Sequence, residues 1–287
     1  MASSTAITDG GAGRLSVLEA AAELRGGETV LARRYCTSPI KIAKTFPEGG
    51  ALGVMLMDAS PGMLEGDRYE LNWEAEADTH LVLTNQGFTK VHPCGPGQAA
   101  SMESRYRIGA GAVVETMMKP VMLYRDAVFD NRTVVELAPG AVWIQGEVLC
   151  PGRMLRGEAF QYESLDNRLS VYYEGELIHH QRQLIRPGLQ RMATQGAWGD
   201  YSHLGSFVVF SDRVTSGLLE MVRKALEELP FAQEQLIAGA ALTWRHGLAV
   251  SAAASSAWVL QQTLGDVWAA VRQTLLGLGA SQVIRIE

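Results

Sequence analysis

The chain has 287 residues, a net charge of −6 at pH 7, and hydrophobic side chains at 47% of its positions. These values allow one large domain or two small ones with a substantial core. The acidic balance argues against a nucleic-acid partner, because phosphate binding needs concentrated lysine and arginine. No apolar run approaches the roughly 18 residues that a membrane span requires, so we expect no membrane association.

The N-terminal residues 1–13 are mostly small and lack the basic and apolar regions of a secretory signal, which predicts a flexible tail. The three cysteines, Cys36, Cys94 and Cys150, lie far apart in the sequence. A sparse, odd cysteine count is typical of a reducing compartment and not of a disulfide framework. The sequence therefore predicts a cytoplasmic protein. Residues 14–287 contain no long Pro/Gly/Ser linker and are expected to form one domain.

From residue 14 to about residue 210 the hydrophobic pattern has a period of two. The clearest case follows the loop sequence SPGMLEGD, where Tyr69, Leu71 and Trp73 alternate with polar residues. Alternation over this length predicts a half-buried strand. Further strands are predicted near residues 81–84, 102–108, 133–137 and 169–178, the last with a hairpin turn at Glu174-Gly175.

Three similar segments recur at a spacing of about 30 residues. They are EADTHLVL (76–83), IGAGAVVE (108–115) and LAPGAVWI (137–144), and each joins a turn of small residues to an apolar strand. Such a period is typical of the stacked β-layers of a solenoid. A plain antiparallel sheet with similar turns would give the same recurrence, so both arrangements remain open.

The last quarter of the chain changes from strands to helices. Ser211 or Asp212 can cap a first helix that ends before Pro230, and a second helix is predicted from about Ser256 to Leu276. The second helix carries an apolar stripe of Leu260, Leu264, Val267, Trp268, Val271 and Leu275. A long run of strands followed by helices predicts a β-rich α+β fold with two helices packed on a mostly antiparallel sheet system.

Two shorter elements complete the expected fold. A hairpin with a turn at His246-Gly247 is predicted between the helices, and the tail QVIRIE (282–287) reads as a short strand. The tryptophans Trp73, Trp143, Trp244 and Trp268 all fall on apolar faces, where we expect them to enter the core.

The motifs of common enzymes are absent from the sequence. It contains no P-loop, no G-x-G-x-x-G, no G-x-S-x-G, no H-E-x-x-H and no C-x-x-C. The absence of these motifs lowers the expectation of catalysis.

Two short loops carry residues that could bind a cation. His92 and Cys94 offer an imidazole and a thiol that suit nickel, copper or zinc, although two ligands do not make a metal site. Glu65 and Asp67 could hold a hard cation or act as an acid–base pair. The alternative for the carboxylates is turn chemistry, in which aspartate accepts hydrogen bonds from nearby backbone N–H groups.

Two other segments place polar groups beside apolar runs. Thr84, Gln86 and Lys90 cluster just after a strand, where loop residues often carry function. Glu147, Arg153 and Glu158 stand among apolar neighbours, and burial would require them to pair with one another.

Together these segments resemble the UreD (also called UreH) family of urease accessory proteins. The resemblance rests on SPGMLEGDRYEL, LVLTNQGFTKVH, GAGAVVETMMKPVMLY, APGAVWIQGEVLCPGRMLRGEAF and RLSVYYEGELI, which occur in the family's order and spacing. The match extends over roughly residues 14–287.

The resemblance implies a non-catalytic scaffold that helps to deliver nickel to apo-urease. The implied partners are a helical accessory protein of the UreF type, a nickel-carrying GTPase of the UreG type that joins through the complex, and apo-urease itself. No tightly bound cofactor is implied, and nickel would be held transiently. The implied fold has layered, β-helix-like strands and a pair of helices.

The resemblance also implies an internal polar passage for nickel. Weak oxygen ligands suit such a passage, since the ion must leave again. The candidates for this passage or for other polar functions are Asp67, Thr84, Gln86, Lys90, Glu147, Arg153 and Glu158. His92 and Cys94 are weaker candidates for transient nickel contact.

A second hypothesis is a β-solenoid carbohydrate-active enzyme. It would use Glu65 with Asp67, or Glu147 with Glu158, as paired carboxylates. Such an enzyme would need an exposed groove lined by aromatic residues, whereas aromatics make up only 7% of the sequence.

Overall fold

A computed structural model describes residues 13–281 except 49, 193 and 195–197. The tail expected at residues 1–13, apart from Gly13, and the strand expected at QVIRIE lie outside the described residues. The described strands are β1 (Leu15–Arg25), β2 (Glu28–Cys36), β3 (Ile40–Glu48), β4 (Ala51–Asp58), β5 (Arg68–Ala75), β6 (His80–Asn85), β7 (Thr89–Val91), β8 (Ala100–Ile108), β9 (Val113–Met117), β10 (Val121–Leu123), β11 (Val128–Leu137), β12 (Val142–Cys150), β13 (Ser164–Tyr173), β14 (Glu176–Ile185), β15 (His203–Phe210), β16 (Leu236–Leu242) and β17 (Gly247–Ala254).

The helices lie mainly in the last quarter, as the sequence predicts. The α-helices are α1 (Ser216–Glu227) and α2 (Ala257–Val271), and α2 continues into a π-helical turn over Arg272–Leu276. A 3₁₀ turn spans Met154–Arg156. Neither α1 nor α2, nor any other helix in the part of the chain that the structure describes, is long and apolar enough to cross a bilayer.

The strands form two sheets that face each other. Sheet A has the order β14-β13-β11-β8-β5-β1-β2. Sheet B has the order β16-β17-β15-β12-β9-β6-β4-β3, and the short strands β7 and β10 pair beside β12. The helices cover the outer face of sheet B, where α2 contacts β12, β15 and β17. The molecule is thus layered as sheet, sheet and helices.

The centre of each sheet is parallel, which decides between the two arrangements that the sequence left open. In sheet A, β1, β5, β8, β11 and β13 pair in parallel, and in sheet B, β4, β6, β9 and β12 do the same. Antiparallel pairing joins β2 to β1 and β14 to β13 at the two edges of sheet A, and in sheet B it joins β3 to β4 and runs along β12-β15-β17-β16. The expectation of a mostly antiparallel sheet system is therefore wrong, and the β-helix-like layering is confirmed.

The three recurring segments are the corners of this solenoid. Each corner carries the chain from a strand of sheet A to the next strand of sheet B, from β5 to β6, β8 to β9 and β11 to β12. The corners stack tightly, because a Cβ on Gly109 would lie only 2.9 Å from the backbone N of Ala77. Small residues recur at this spacing because successive corners leave no room for larger side chains.

Two apolar cores hold the three layers together. The core between the sheets contains Trp73, Trp143 and Phe129, which are all at most 2% exposed. The second core lies between sheet B and the helices and includes Trp268 and the rest of the apolar stripe of α2. Trp244 differs from the expectation, because the β16–β17 turn leaves it 77% exposed.

The first helix begins later than predicted. Its N-cap is Thr215, whose side chain accepts a hydrogen bond from Leu218 N. Asp212 cannot serve as the cap because its carboxylate accepts hydrogen bonds from Gly140 N and the Tyr173 hydroxyl, each at 2.9 Å. The second helix begins at the expected cap, Ser256.

Candidate functional site

A cavity of about 280 Å³ lies between sheets A and B. It opens to solvent at one end, where its lining residues are exposed, and we call this opening the mouth. The exposed lining residues of the mouth are Asp58, Pro61, Gln86, Gly87 and Lys90. The polar side chains deeper in the cavity are Ser104, Thr116, Asn131, Thr133, Gln145 and Glu147.

The inner polar wall follows from the alternation of two strands. In β11 the inward positions that continue Phe129 are Asn131 and Thr133, and both are buried. In β12 the inward positions that continue Trp143 are Gln145 and Glu147. Each strand therefore carries polar side chains at two consecutive inward positions, where its preceding inward position is apolar. The polar positions of β11 and β12 face each other across the cavity.

A hydrogen-bonded network links the sheets at the inner end of the cavity. Asn131 Nδ2 donates to Asn167 Oδ1 at 2.9 Å, and Asn167 Nδ2 donates to Glu147 Oε2 at 2.6 Å. Asn167 Nδ2 also lies 3.2 Å from Gln183 Oε1. The Asn131 Oδ1 atom is buried and accepts no hydrogen bond from the protein. The cavity thus ends on an oxygen atom with free lone pairs beside a carboxylate.

Glu147 is the one carboxylate on the inner wall among the described residues. Burial raises its pKa above the usual glutamate value, and the hydrogen bond from Asn167 opposes that shift. A smaller cavity continues beyond Glu147 and shares Thr133, Gln145 and Glu147 with the larger one. Its further lining includes Asn167 and polar side chains of β13, β14 and β15. Glu147 therefore lies at the junction of the two cavities.

Three of the candidate residues come together in this site. Gln86 and Lys90 line the mouth and Glu147 lines the inner wall. Thr84 does not line the cavity, because β6 turns it to the helix side, where its hydroxyl donates to Met117 O at 2.8 Å.

Asp67 lies outside the cavity and holds the loop that precedes β5. Its Oδ1 accepts from Arg14 N at 3.0 Å, and its Oδ2 accepts from Leu64 N at 2.8 Å. The side chain is only 6% exposed. The structure thus shows the turn chemistry that the sequence offered as one alternative. Glu65, its neighbour, accepts from Gly95 N at 2.8 Å.

Arg153 and Glu158 form an ion pair in the loop between β12 and β13. Arg153 Nε and Nη2 lie 2.6 and 2.5 Å from the two carboxylate oxygens, and this hydrogen bonding lowers the pKa of Glu158. The Arg153 guanidinium also lies over the Tyr124 ring. The expected pairing is confirmed for these two residues, whereas Glu147 joins the Asn167 network instead. Neither Arg153 nor Glu158 lines the cavity.

His92 and Cys94 do not converge on a common point. His92 Nε2 lies 3.2 Å from Pro61 O, and the Cys94 thiol is directed at the carbonyl oxygens of His92 and Val128. Over the described ranges, no group of three or more His, Cys, Asp or Glu side chains could hold a metal ion.

Sequence reasoning missed a second buried polar cluster on the outer face of sheet B. Glu115 is fully buried and accepts from His80 Nε2 at 2.6 Å, Trp268 Nε1 at 2.5 Å and Arg272 Nη1 at 3.0 Å. Arg272 also lies 3.4 Å from Glu48. The cluster connects α2 and the turn that follows it to sheet B through hydrogen bonds to Glu115. The sequence signal that could have revealed this cluster is Glu115 itself, a glutamate between apolar residues of a predicted strand.

Comparison with known proteins decides the family. The profile described as "UreD urease accessory protein" matches residues 12–285. The chain belongs to the UreD family of urease accessory proteins. Among its relatives, Urease accessory protein UreD of Acetivibrio thermocellus is 30% identical over 224 residues, which cover 76% of this chain and 85% of the relative. Urease accessory protein UreH of Helicobacter hepaticus is 26% identical over 194 residues, 68% of this chain and 77% of the relative.

The UreD-family assignment confirms the resemblance found in the sequence and leaves no support for the carbohydrate-active alternative. Each proposed carboxylate pair is used otherwise. Both oxygens of Asp67 and one of Glu65 accept backbone N–H groups, and Glu158 is held by Arg153 while Glu147 lies inside the cavity.

Proposed function

We propose that this UreD-family chain is a non-catalytic scaffold that helps to deliver nickel to apo-urease. The single observation that carries the proposal is the inter-sheet cavity with Glu147 and Asn131 at its inner end. The family is named for a role accessory to urease, and a cavity suited to a moving cation gives that role a physical basis.

The ligand chemistry of the cavity fits transient and not permanent nickel binding. Among the described lining residues the metal-ligating atoms are mainly carboxylate, amide and hydroxyl oxygens, with no imidazole or thiol. Nickel binds imidazole and thiolate more strongly than these oxygens, so an ion here would exchange quickly. Cargo that must be released needs such weak sites.

The burial of Glu147 gives the cavity a reason to attract a cation. A carboxylate whose pKa is raised by burial is stabilised when a cation approaches, because the cation compensates for lost hydration. The free oxygen of Asn131 offers a second ligand on the facing sheet. The ion would pass between these groups as cargo and would not remain as a resident cofactor.

The chain is proposed to act within a complex. A helical accessory protein of the UreF type would dock on it, a GTPase of the UreG type would bring nickel through that protein, and apo-urease would receive the ion. Nucleotide hydrolysis would belong to the GTPase, since this sequence has no P-loop. We place the assembly in the cytoplasm.

Deletion of this chain from a urease operon tests the proposal. The urease subunits should still be made, but they should contain little nickel and show little activity when nickel is limiting. The purified chain alone should hydrolyse neither GTP nor urea. Urease with normal nickel content and activity in the deletion strain would contradict the proposal, and so would turnover of either compound by the pure chain.

A further inference from the structure

The described strands leave four sheet edges, formed by β2 and β14 in sheet A and by β3 and β16 in sheet B. An edge strand presents unpaired backbone N–H and C=O groups, which natural proteins shield with bulges, charged side chains or proline. Three of the edges are shielded in this way. The pairing of β2, β14 and β3 with the neighbouring strand is interrupted in each case by a register shift. These strands also carry charged residues or proline, including Arg33 and Arg34 in β2, Arg182 in β14, and Lys44 and Pro47 in β3.

Strand β16 has none of these features. Its sequence, LIAGAAL, contains no charged residue and no proline. It pairs with β17 without a register shift, from Leu236 opposite Ala254 to Leu242 opposite Leu248. The fourth edge is therefore regular and uncharged, which is the form of edge that pairs most readily with another strand.

The hydrogen bonds at the two ends of β16 show which residues face β17. Ser255 N donates to Gln235 O, and Thr243 N donates to Gly247 O. The N–H and C=O groups of one residue point to the same side of an antiparallel strand, and the side alternates along the strand. The odd-numbered residues of β16 therefore bond to β17, and the even-numbered residues direct their backbone groups away from the sheet.

These outward backbone groups are almost all available for pairing. Among the N–H and C=O groups of Ala238, Ala240 and Leu242, the described part of the chain supplies a partner only for Ala240 O. That oxygen accepts from the side chain of Arg223, with 3.1 Å to Nη2. A carbonyl oxygen has two lone pairs and can accept a second hydrogen bond, so Arg223 does not close the edge.

The side chains that border this edge are apolar and exposed. Ile237 is 52% exposed, Leu242 is 43% exposed, and Trp244 in the following turn is 77% exposed. Removing such side chains from water favours association with another apolar strand. The edge thus offers both unpaired backbone groups and an apolar surface.

The sequence of β16 is nearly palindromic about Gly239. The positions at equal distances from this glycine carry Ala238 and Ala240, Ile237 and Ala241, and Leu236 and Leu242. A two-fold axis through the middle of an antiparallel pair of identical strands places each residue opposite its mirror position. With the axis at Gly239, every opposed pair is apolar, and the outward groups of Ala238 meet those of Ala240 in the second copy.

We propose that this chain forms a homodimer in which β16 pairs antiparallel with β16 of a second copy, about a two-fold axis at Gly239. The self-complementary sequence selects a second copy over a strand of another protein. The dimer joins two copies of sheet B into one continuous sheet and covers Ile237 and Leu242. Because the other three edges are shielded, association closes at two copies and does not extend into a fibre.

The dimer goes beyond the proposed nickel delivery and does not depend on it. Strand β16 lies at one edge of sheet B, whereas the mouth of the cavity is bordered by the ends of β4 and β6 near the other edge. Pairing through β16 therefore leaves the mouth open in both copies.

A disulfide placed at the two-fold axis tests the register. Residues opposed at a position without mutual hydrogen bonds have Cα atoms about 4.5 Å apart, which a disulfide can span. A Cβ at Gly239 would meet no atom within 4 Å in the single chain, so Gly239→Cys should fold. The variant is made with Cys36→Ser, because the other two native cysteines are buried. Mild oxidation should link it into a dimer on a non-reducing gel. Ala241→Cys, on the same side of β16, is the matched control and should link far more slowly.

Sedimentation of the purified full chain over a range of concentrations tests the association itself. The unmodified chain should show a monomer–dimer equilibrium, which should shift toward the dimer at higher salt, since each copy carries −6 and β16 carries no charge. Ile237→Lys should raise the dimer dissociation constant by about tenfold or more. Leu24→Lys, at a position 46% exposed on a strand away from every edge, is the control and should dimerise normally.

An unmodified chain that remains monomeric at every concentration would overturn the inference, and so would equal rates of disulfide formation at positions 239 and 241. Loss of binding to another urease maturation protein in Ile237→Lys, when the unmodified chain does not self-associate, would also overturn it, because the edge would then serve a foreign strand. None of these results bears on the nickel content of urease in the deletion strain, so the two proposals can fail separately.

Discussion

The side-chain amide of Asn167 on sheet A donates a hydrogen bond to Glu147 on sheet B, with 2.6 Å between Nδ2 and Oε2. This contact crosses the interior of the solenoid at the point where the larger cavity meets the smaller one. It holds a buried carboxylate that has no cationic partner among the described residues. An apolar pair would pack more favourably there, so the position suggests use in function and not in stability.

Glu147→Gln should separate these two roles. The amide oxygen can still accept from Asn167, whereas the buried charge is removed. We expect the variant to fold and bind its partners normally but to activate urease several times more slowly when nickel is limiting. Glu136→Gln, on the outer face of sheet A beside Arg107, is the control and should activate normally. Normal activation by Glu147→Gln would remove this carboxylate from the nickel route.

The same substitution should change how stability depends on pH. Because burial raises the folded-state pKa of Glu147, the folded state binds a proton more tightly than the unfolded state, and stability falls as pH rises from the unfolded value. Each unit of pKa difference corresponds to about 1.4 kcal/mol. Glu147→Gln should therefore be more stable than the original chain near neutral pH, and the two should converge below about pH 4. Denaturant unfolding at several pH values measures this, and an equal difference at every pH would contradict it.

Asp67→Ala should destabilise the chain by about 1–3 kcal/mol, because two backbone N–H groups lose their acceptors. Asp67→Asn should lose less, since the amide oxygen still accepts one of the two bonds. Urease activation by either variant should fall only in proportion to the amount of folded complex. A larger loss of activation at normal stability would show that Asp67 acts on nickel although it does not line the cavity.

Trp268→Ala should cost about 3–5 kcal/mol in the free energy of unfolding, because the indole is 3% exposed in the core beneath α2. Trp268→Phe keeps much of the packing but deprives buried Glu115 of one donor, for which we expect about 1–3 kcal/mol. Trp258→Ala is the control, since that side chain is 55% exposed, and should cost less than about 1 kcal/mol. A loss of that small size at Trp268 would place its side chain at the surface.

Much of the fold could be predicted because its local signals agree. Alternation marks β5 and β8, and the recurring small residues mark the corners, where Gly109 shows why size is limited. Parallel pairing could not be read from alternation, because the same side-chain pattern serves both directions. Asp212 and Thr215 are both residue types that commonly cap helices, so the sequence alone does not choose between them. In the structure the Asp212 carboxylate accepts a hydrogen bond from the distant Gly140 N, and Thr215 is the cap.

Only part of the candidate site could be predicted, because strand pairing brings together residues that are far apart in the sequence. Glu147 stood out as a charge among apolar residues, whereas Asn131 and Asn167 lie 36 positions apart and meet only through the parallel register of β11 and β13. Thr84 was a candidate because it follows an apolar run, but the alternation along β6 puts its side chain on the face opposite the cavity. Residues that act together through strand pairing are not visible in the spacing of the sequence.

The central claim is that nickel passes through the cavity between sheets A and B, and filling this cavity tests it most directly. The measurement is the nickel content per urease active site, after assembly with limiting nickel, for a complex that carries Ser104→Leu in this chain. Ser104 faces the cavity, and Ser101→Leu on the same strand outside the cavity is the matched control. The account predicts normal assembly of both complexes but a severalfold loss of nickel only with Ser104→Leu. Full nickel content in urease matured by a stable, assembled Ser104→Leu complex would contradict passage through this cavity.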